Sequence, residues 1–168
     1  ELFARGSGSS LPTPKLFAGG IYAYSFSPDT LQQLFATFHV PHDYAPGTPI
    51  HLHIHWADPG PAASNAATVR WGFEYTIAKG HGQQAFSQQT DTLYVNQASP
   101  ASRIHMVAET AAINSQNIEP DALILVRVFR DAANAADNCP SSVFAFAADV
   151  HYQSDRAATP NRAPNFYA

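Results

Sequence analysis

Three histidines alternate with apolar residues in the segment His51-Leu52-His53-Ile54-His55-Trp56. On a β-strand, this period of two places the three imidazoles on one face, about 6–7 Å apart, and the apolar side chains on the other. Neutral imidazole is the commonest protein ligand for metal ions near pH 7. The row His51, His53 and His55 is therefore a candidate site for a divalent metal ion.

A metal ion on this row needs further ligands from other segments. Strand parity indicates Glu74 as one candidate, because it alternates with Trp71, Phe73 and Tyr75. The same argument indicates Asp149 together with His151. His39 and His42-Asp43 precede a Pro-Gly turn that can return them towards the histidine strand.

The row also has two interpretations that require no enzyme. In the first, the histidines form a polar sheet face, hydrogen-bonded among themselves and to polar neighbours. These neighbours are Glu74, Arg127, Asp149 and Gln153. In the second, they lie at a subunit interface around a symmetry axis, with or without an ion.

A cupin-like metal enzyme that uses His51, His53 and a carboxylate is the third interpretation. The cupin pattern has a glycine, then His-x-His, then a glutamate three or four residues later. Gly47 precedes the histidines here, but the nearest following carboxylate is Asp58. No nucleophile elbow, P-loop or zinc-protease motif occurs in the sequence either. The single cysteine, Cys139, has no neighbour that would activate its thiol. We therefore expect a protein that is not an enzyme.

The elements that position these residues have the alternation of β-strands. Strands are predicted at 20–26, 34–40, 50–56, 68–78, 90–96, 103–110, 121–130 and 143–153, with the strand at 121–130 in a central position. One short helix is predicted around 29–34. Eight or nine short strands separated by turns are typical of an all-β protein, and we predict a jelly-roll-like antiparallel β-sandwich.

Both ends of the chain read as extended arms, because they are rich in Gly, Ser, Pro and Asn. We predict an N-terminal arm at 1–20, a sandwich domain at 21–155 and a C-terminal tail at 156–168. An arm of 12–20 residues reaches about 40–65 Å when extended, enough to cross a neighbouring subunit.

The amino-acid composition limits the kinds of partner that this chain can bind. Charged residues make up 13% of the 168 residues and the net charge is −4. A chain with only two lysines has no basic surface for nucleic acid, and no run of about 18 apolar residues predicts a membrane span. The scarcity of charge indicates that other subunits cover part of the surface.

The histidine segment, together with the preceding His39-Val40-Pro41-His42-Asp43-Tyr44-Ala45-Pro46-Gly47-Thr48, resembles a domain of structural proteins of tailed bacteriophages. The likeness continues at 69–75, at 126–131 and at 149–153, and includes 5–8 and 161–167. It covers nearly the whole chain.

The resemblance implies a virion protein. Its expected role is capsid decoration, in which a homotrimer cements the shell by contacts with the major capsid protein. The alternative is a tail-fibre or tail-tip module whose loops at 58–65 and 132–142 contact the host surface. The residues expected at subunit interfaces are Phe3, Phe17, His39, His42, Asn161, Arg162, Phe166 and Tyr167.

Overall fold

The structure, a computed structural model, describes residues 11–60, 67–100, 103–114, 118–155, 161 and 164–166. These residues form nine strands: β1 (Thr13–Ala18), β2 (Ile21–Phe26), β3 (Gln32–His39), β4 (His51–Ala57), β5 (Thr68–Ala78), β6 (Asp91–Ala98), β7 (Met106–Glu109), β8 (Leu123–Arg130) and β9 (Val143–His151). The predicted all-β antiparallel sandwich is confirmed. Within the described residues, no helix is long and apolar enough to cross a membrane.

The strands form two antiparallel sheets. The five-stranded sheet has the order β1-β2-β9-β4-β7, and the four-stranded sheet has the order β3-β8-β5-β6. Strand β8 lies between β3 and β5, as predicted for the segment at 121–130. The pairs β2–β9, β3–β8, β4–β7 and β5–β6 are nested along the chain, as in a long hairpin that has been rolled up.

The core contains the apolar faces that alternation predicts. Leu52, Ile54 and Trp56 of β4 are all buried, as are Trp71 and Phe73 of β5. The rings of Trp56 and Trp71 meet edge to face across the two sheets, with centroids 6.1 Å apart. Such aromatic pairs add about 0.5–1.5 kcal/mol beyond the area they bury.

Two local predictions differ from the structure. The short helix around 29–34 is wrong, because β3 begins at Gln32 and continues the period of two. The Gln32 side chain closes the preceding turn by accepting a hydrogen bond from the Ser27 amide at 2.6 Å. Part of the predicted N-terminal arm is also a regular element, because Thr13–Ala18 forms β1 and pairs with β2. Pro14 is tolerated there because β1 is an edge strand.

A buried arginine holds the loop at 131–142 against the sandwich. The Arg130 guanidinium is fully buried and donates to both carboxylate oxygens of Asp137, at 2.8 and 2.9 Å. It also donates to the carbonyl oxygens of Cys139 and Ser141, each at 2.7 Å. Asp137 in turn accepts from the Arg70 amide at 3.0 Å, so the loop is fixed to β5 as well as to β8.

Candidate metal centre

The histidine strand β4 lies between β9 and β7, and the register brings acidic residues to its outer face. His53 is opposite Asp149 on β9 and opposite Glu109 on β7. Directly opposed residues of antiparallel strands project on the same face. A row of Asp149, His53 and Glu109 therefore crosses three strands on the side of the sheet that faces away from the core.

His53 is the centre of this row and is only 2% exposed, although it lies on the outer face. Its Nε2 contacts Asp149 Oδ1 and lies 3.1 Å from His55 Nε2. Its Nδ1 is buried and has no hydrogen-bond partner among the described residues. Burial lowers the pKa of His53, because the desolvated imidazolium is less stable than the neutral ring.

His55 extends the arrangement towards β7. Its Nε2 lies 3.4 Å from Asp149 Oδ1, and its Nδ1 lies 2.7 Å from His105 Nε2. The two imidazoles of His55 and His105 are stacked, with centroids 4.9 Å apart.

His151 and Glu109 cover the other side of His53. The His151 ring lies 4.0 Å from the His53 ring, centroid to centroid, and its Nδ1 contacts a carboxylate oxygen of Glu109. Two triads whose potential ligand atoms lie within 4.8 Å of one another share His53: one with His55 and Asp149, the other with Glu109 and His151. We call the six residues His53, His55, His105, Glu109, Asp149 and His151 the sheet cluster.

The structure revises the predicted ligand set. His51 projects from the same face but is not in either triad, and its Nδ1 lies 2.9 Å from the Thr110 carbonyl oxygen. Glu74 lies on the other sheet, where it pairs with Arg127 at 2.6 Å. Asp149 and His151, the candidates indicated by strand parity, do lie beside His53.

The carboxylate considered for a cupin-like site has another role. Asp58 is buried and accepts hydrogen bonds from the Ser99 hydroxyl at 2.5 Å and from the Gly60 amide at 2.7 Å. Cys139 is also buried, and burial raises the pKa of its thiol. Neither residue belongs to the sheet cluster.

His39 and His42 gather elsewhere, at one end of the four-stranded sheet. Asp121 Oδ1 lies 2.8 Å from His39 Nε2 and 3.1 Å from His42 Nε2, while Oδ2 lies 2.8 Å from His81 Nε2. Hydrogen bonds from His81 and the other two histidines lower the pKa of Asp121 to about 2. We call His39, His42, His81 and Asp121 the end cluster.

Of the predicted interface residues in the arms, Phe166 and Phe17 contact the chain's own sandwich. Phe166 is buried, and its ring lies 5.7 Å from that of His42 and 5.9 Å from that of His81. Phe17 packs edge to face on Phe144 and Phe146. Asn161 donates from its side chain to the Asn165 carbonyl oxygen at 3.0 Å. The remaining three, Phe3, Arg162 and Tyr167, lie outside the described residues.

His105, Glu109, His81 and Asp121 are not among the ligands predicted from the sequence. His105 precedes a strand of four residues, too short to show a clear alternation. Asp121 and His81 lie in turns, both with positive φ, so strand parity says nothing about them. Only the register of β3, β8 and β5 would have shown that His81 and Asp121 lie beside His39.

Comparison with known proteins identifies no protein similar to this chain. Neither a protein-family model nor a curated protein nor a solved structure matches this chain.

Proposed function

We propose that this chain is a structural protein of a tailed-bacteriophage virion, a decoration protein that assembles as a homotrimer on the capsid shell. The resemblance in sequence suggests the class of protein. The observation that carries the proposal is an exposed apolar strip on the inner face of the five-stranded sheet, which no strand of the described residues covers.

This strip lies on β1 and β2. Tyr24 is opposite Ala145, a core residue, and opposite Pro14, so all three project to the inner side of the five-stranded sheet. Leu16 and Tyr22 are also opposite each other, two residues further along each strand, and share that side. They are nevertheless 54% and 65% exposed.

The cause is the unequal width of the two sheets. The opposite sheet has four strands, so no strand of the described residues covers the β1 edge of the five-stranded sheet. Contiguous apolar surface of this kind typically marks a protein–protein interface. We propose that a second copy of this chain covers the strip, because closed symmetric oligomers are the common assembly of such proteins.

The strand order also supports the proposal of a virion structural protein. The nested pairs that begin with β2–β9 favour a jelly roll, an architecture common in viral capsid proteins. We propose that the sandwich is a jelly roll to which β1 adds a ninth strand. The role proposed is structural and not catalytic.

The oligomeric state tests the interface. Light scattering on the eluting protein should give three chains for the wild type and one chain for a Leu16→Ser, Tyr22→Ser double variant. Phe86→Ser is the matched control, because Phe86 is an exposed aromatic in the 81–90 turn, away from this strip. A monomeric wild type at micromolar concentration, or a trimeric double variant, would contradict the proposal.

Imaging of particles that carry the protein tests its location. Many copies on the shell are expected, at the junctions of major capsid subunits. A few copies at the tail would instead establish the tail-fibre or tail-tip role and overturn capsid decoration.

A further inference from the structure

We propose that His53 Nε2, His55 Nε2 and Asp149 bind one divalent transition-metal ion of the zinc class on the outer face of the five-stranded sheet. This site is independent of the virion role proposed above. It rests on the arrangement of donor and acceptor atoms, on their distances and on the neighbouring residues that orient them.

Protons alone do not satisfy the three converging atoms. If His53 Nε2 carries a proton, both His55 Nε2 and Asp149 Oδ1 compete for it. If His55 Nε2 donates instead, the lone pair of His53 Nε2 faces a carboxylate oxygen. Unsatisfied buried polar atoms cost about 1–3 kcal/mol each, whereas one cation accepts all three lone pairs.

The distances suit a shared ion. The 3.1 Å between the two Nε2 atoms and the 3.4 Å between His55 Nε2 and Asp149 Oδ1 match ligands of one centre, whereas His53 Nε2 and Asp149 Oδ1 are in direct contact and have to move apart to admit the ion. Zinc bonds of about 2.0–2.2 Å in a tetrahedron separate neighbouring ligand atoms by about 3.3–3.5 Å.

Neighbouring side chains can hold the ligands in the required tautomer. With a metal ion on Nε2, His55 carries its proton on Nδ1 and donates it to His105 Nε2, 2.7 Å away. Hydrogen bonds from the second ring nitrogen of a ligating histidine are the usual means of fixing its orientation. Glu109 and His151, on the other side of His53, fix that ring by packing against it.

The ligand types select the metal. Two imidazoles and one carboxylate favour zinc, nickel, copper, cobalt or iron over calcium and magnesium, which take oxygen ligands. Asp149 is 44% exposed and His55 is 26% exposed, so an ion has access from solvent.

Metal titration of the full chain tests the site. After treatment with a chelator, the wild type should bind one Zn²⁺ per chain by elemental analysis, and Co²⁺ should give the visible absorption of a tetrahedral site. Because His55 and Asp149 are partly exposed, His55→Gln and Asp149→Asn should fold and should weaken binding by roughly 100-fold or more. His105→Gln should weaken it by roughly 10- to 100-fold.

His39→Gln is the matched control, because it removes one partly exposed histidine from the end cluster and should leave zinc affinity unchanged. Circular dichroism confirms that each variant is folded. A wild type that binds no stoichiometric Zn²⁺ or Co²⁺ overturns the proposal. So does a folded His55→Gln that binds as tightly as the wild type, because the ion would then lie elsewhere.

Discussion

The sheet cluster and the end cluster are both built from histidines and carboxylates. They differ in how the hydrogen-bond donors of the histidines are matched to acceptors. In the end cluster, three imidazole Nε2 atoms surround the two oxygens of Asp121. Each ring donates one proton to a carboxylate that has several lone pairs to offer. In the sheet cluster, the Nε2 atoms of His53 and His55 face each other and the same Asp149 oxygen.

The difference teaches that counting histidines does not find a metal site. Three histidines around one carboxylate form a closed hydrogen-bonded group that needs no ion. Two histidines and a carboxylate whose ligand atoms converge can instead share one cation. The two clusters are distinguished by how many acceptor atoms converge on one point without an N–H proton for each of them.

The largest expected effect is a rise in Tm on addition of zinc that depends on the sheet cluster and not on the end cluster. A ligand at 100 times its dissociation constant stabilises the folded state by about 2.7 kcal/mol, which raises Tm by about 5–10 °C for a chain of this length. Differential scanning fluorimetry with and without zinc measures this shift. His55→Gln should abolish it and Asp121→Asn should retain it; a shift that depends on Asp121 would reverse the comparison.

Removal of the Phe166 ring should have the next largest effect. Phe166 is buried against His42 and His81, so Phe166→Ala should lower the free energy of unfolding by about 2 kcal/mol, below the range for a central core phenylalanine. Urea denaturation measures the loss. The exposed Phe86→Ala should change stability by less than about 0.5 kcal/mol. Equal effects of the two changes would show that the end cluster does not secure the tail.

Asp121→Asn should have the smallest effect and should depend on pH. Asparagine tolerates the positive φ of this residue, so the change tests the charge. The pKa of Asp121 falls from 3.8 to about 2 on folding, so its stabilisation is complete above the unfolded value and is lost as pH falls towards 2.

We expect a loss of about 1 kcal/mol at pH 7 because the carboxylate is partly solvated. The difference between wild type and Asp121→Asn should shrink between pH 4 and pH 2. Urea denaturation at several pH values measures it. A difference that stays constant across this range would assign the effect to the shape of the side chain and not to its charge.

Alternation was sufficient to predict most of the fold. The segment Thr68–Ala78 has the predicted bounds, because Val69, Trp71, Phe73 and Tyr75 are buried by the opposite sheet. Strand β1 was missed because its sequence, TPKLFA, contains a proline and lies at an edge with only one neighbour. Edge strands are specified by their partner more than by their own pattern.

The candidate site was predictable only in part. Parity placed His53, His55 and Asp149 on one face of their strands. Which residue of β9 lies beside which residue of β4 depends on register, and the register shifts between His55 and Trp56. The exclusion of His51 follows from its bond to Thr110 and has no sequence signal.

The buried guanidinium of Arg130 decides where this molecule tolerates added sequence. Because it binds the loop at 131–142 through one carboxylate and two carbonyl oxygens, a peptide inserted there must break that bonding. The turn at 81–90, in which every residue is exposed, is bonded through exposed side chains near its two ends, such as His81 on Asp121 and Thr90 on Glu74, and its centre is therefore easier to interrupt. For display of a foreign epitope or a tag on this scaffold, the exposed turn is the insertion point and the anchored loop is the part to leave intact.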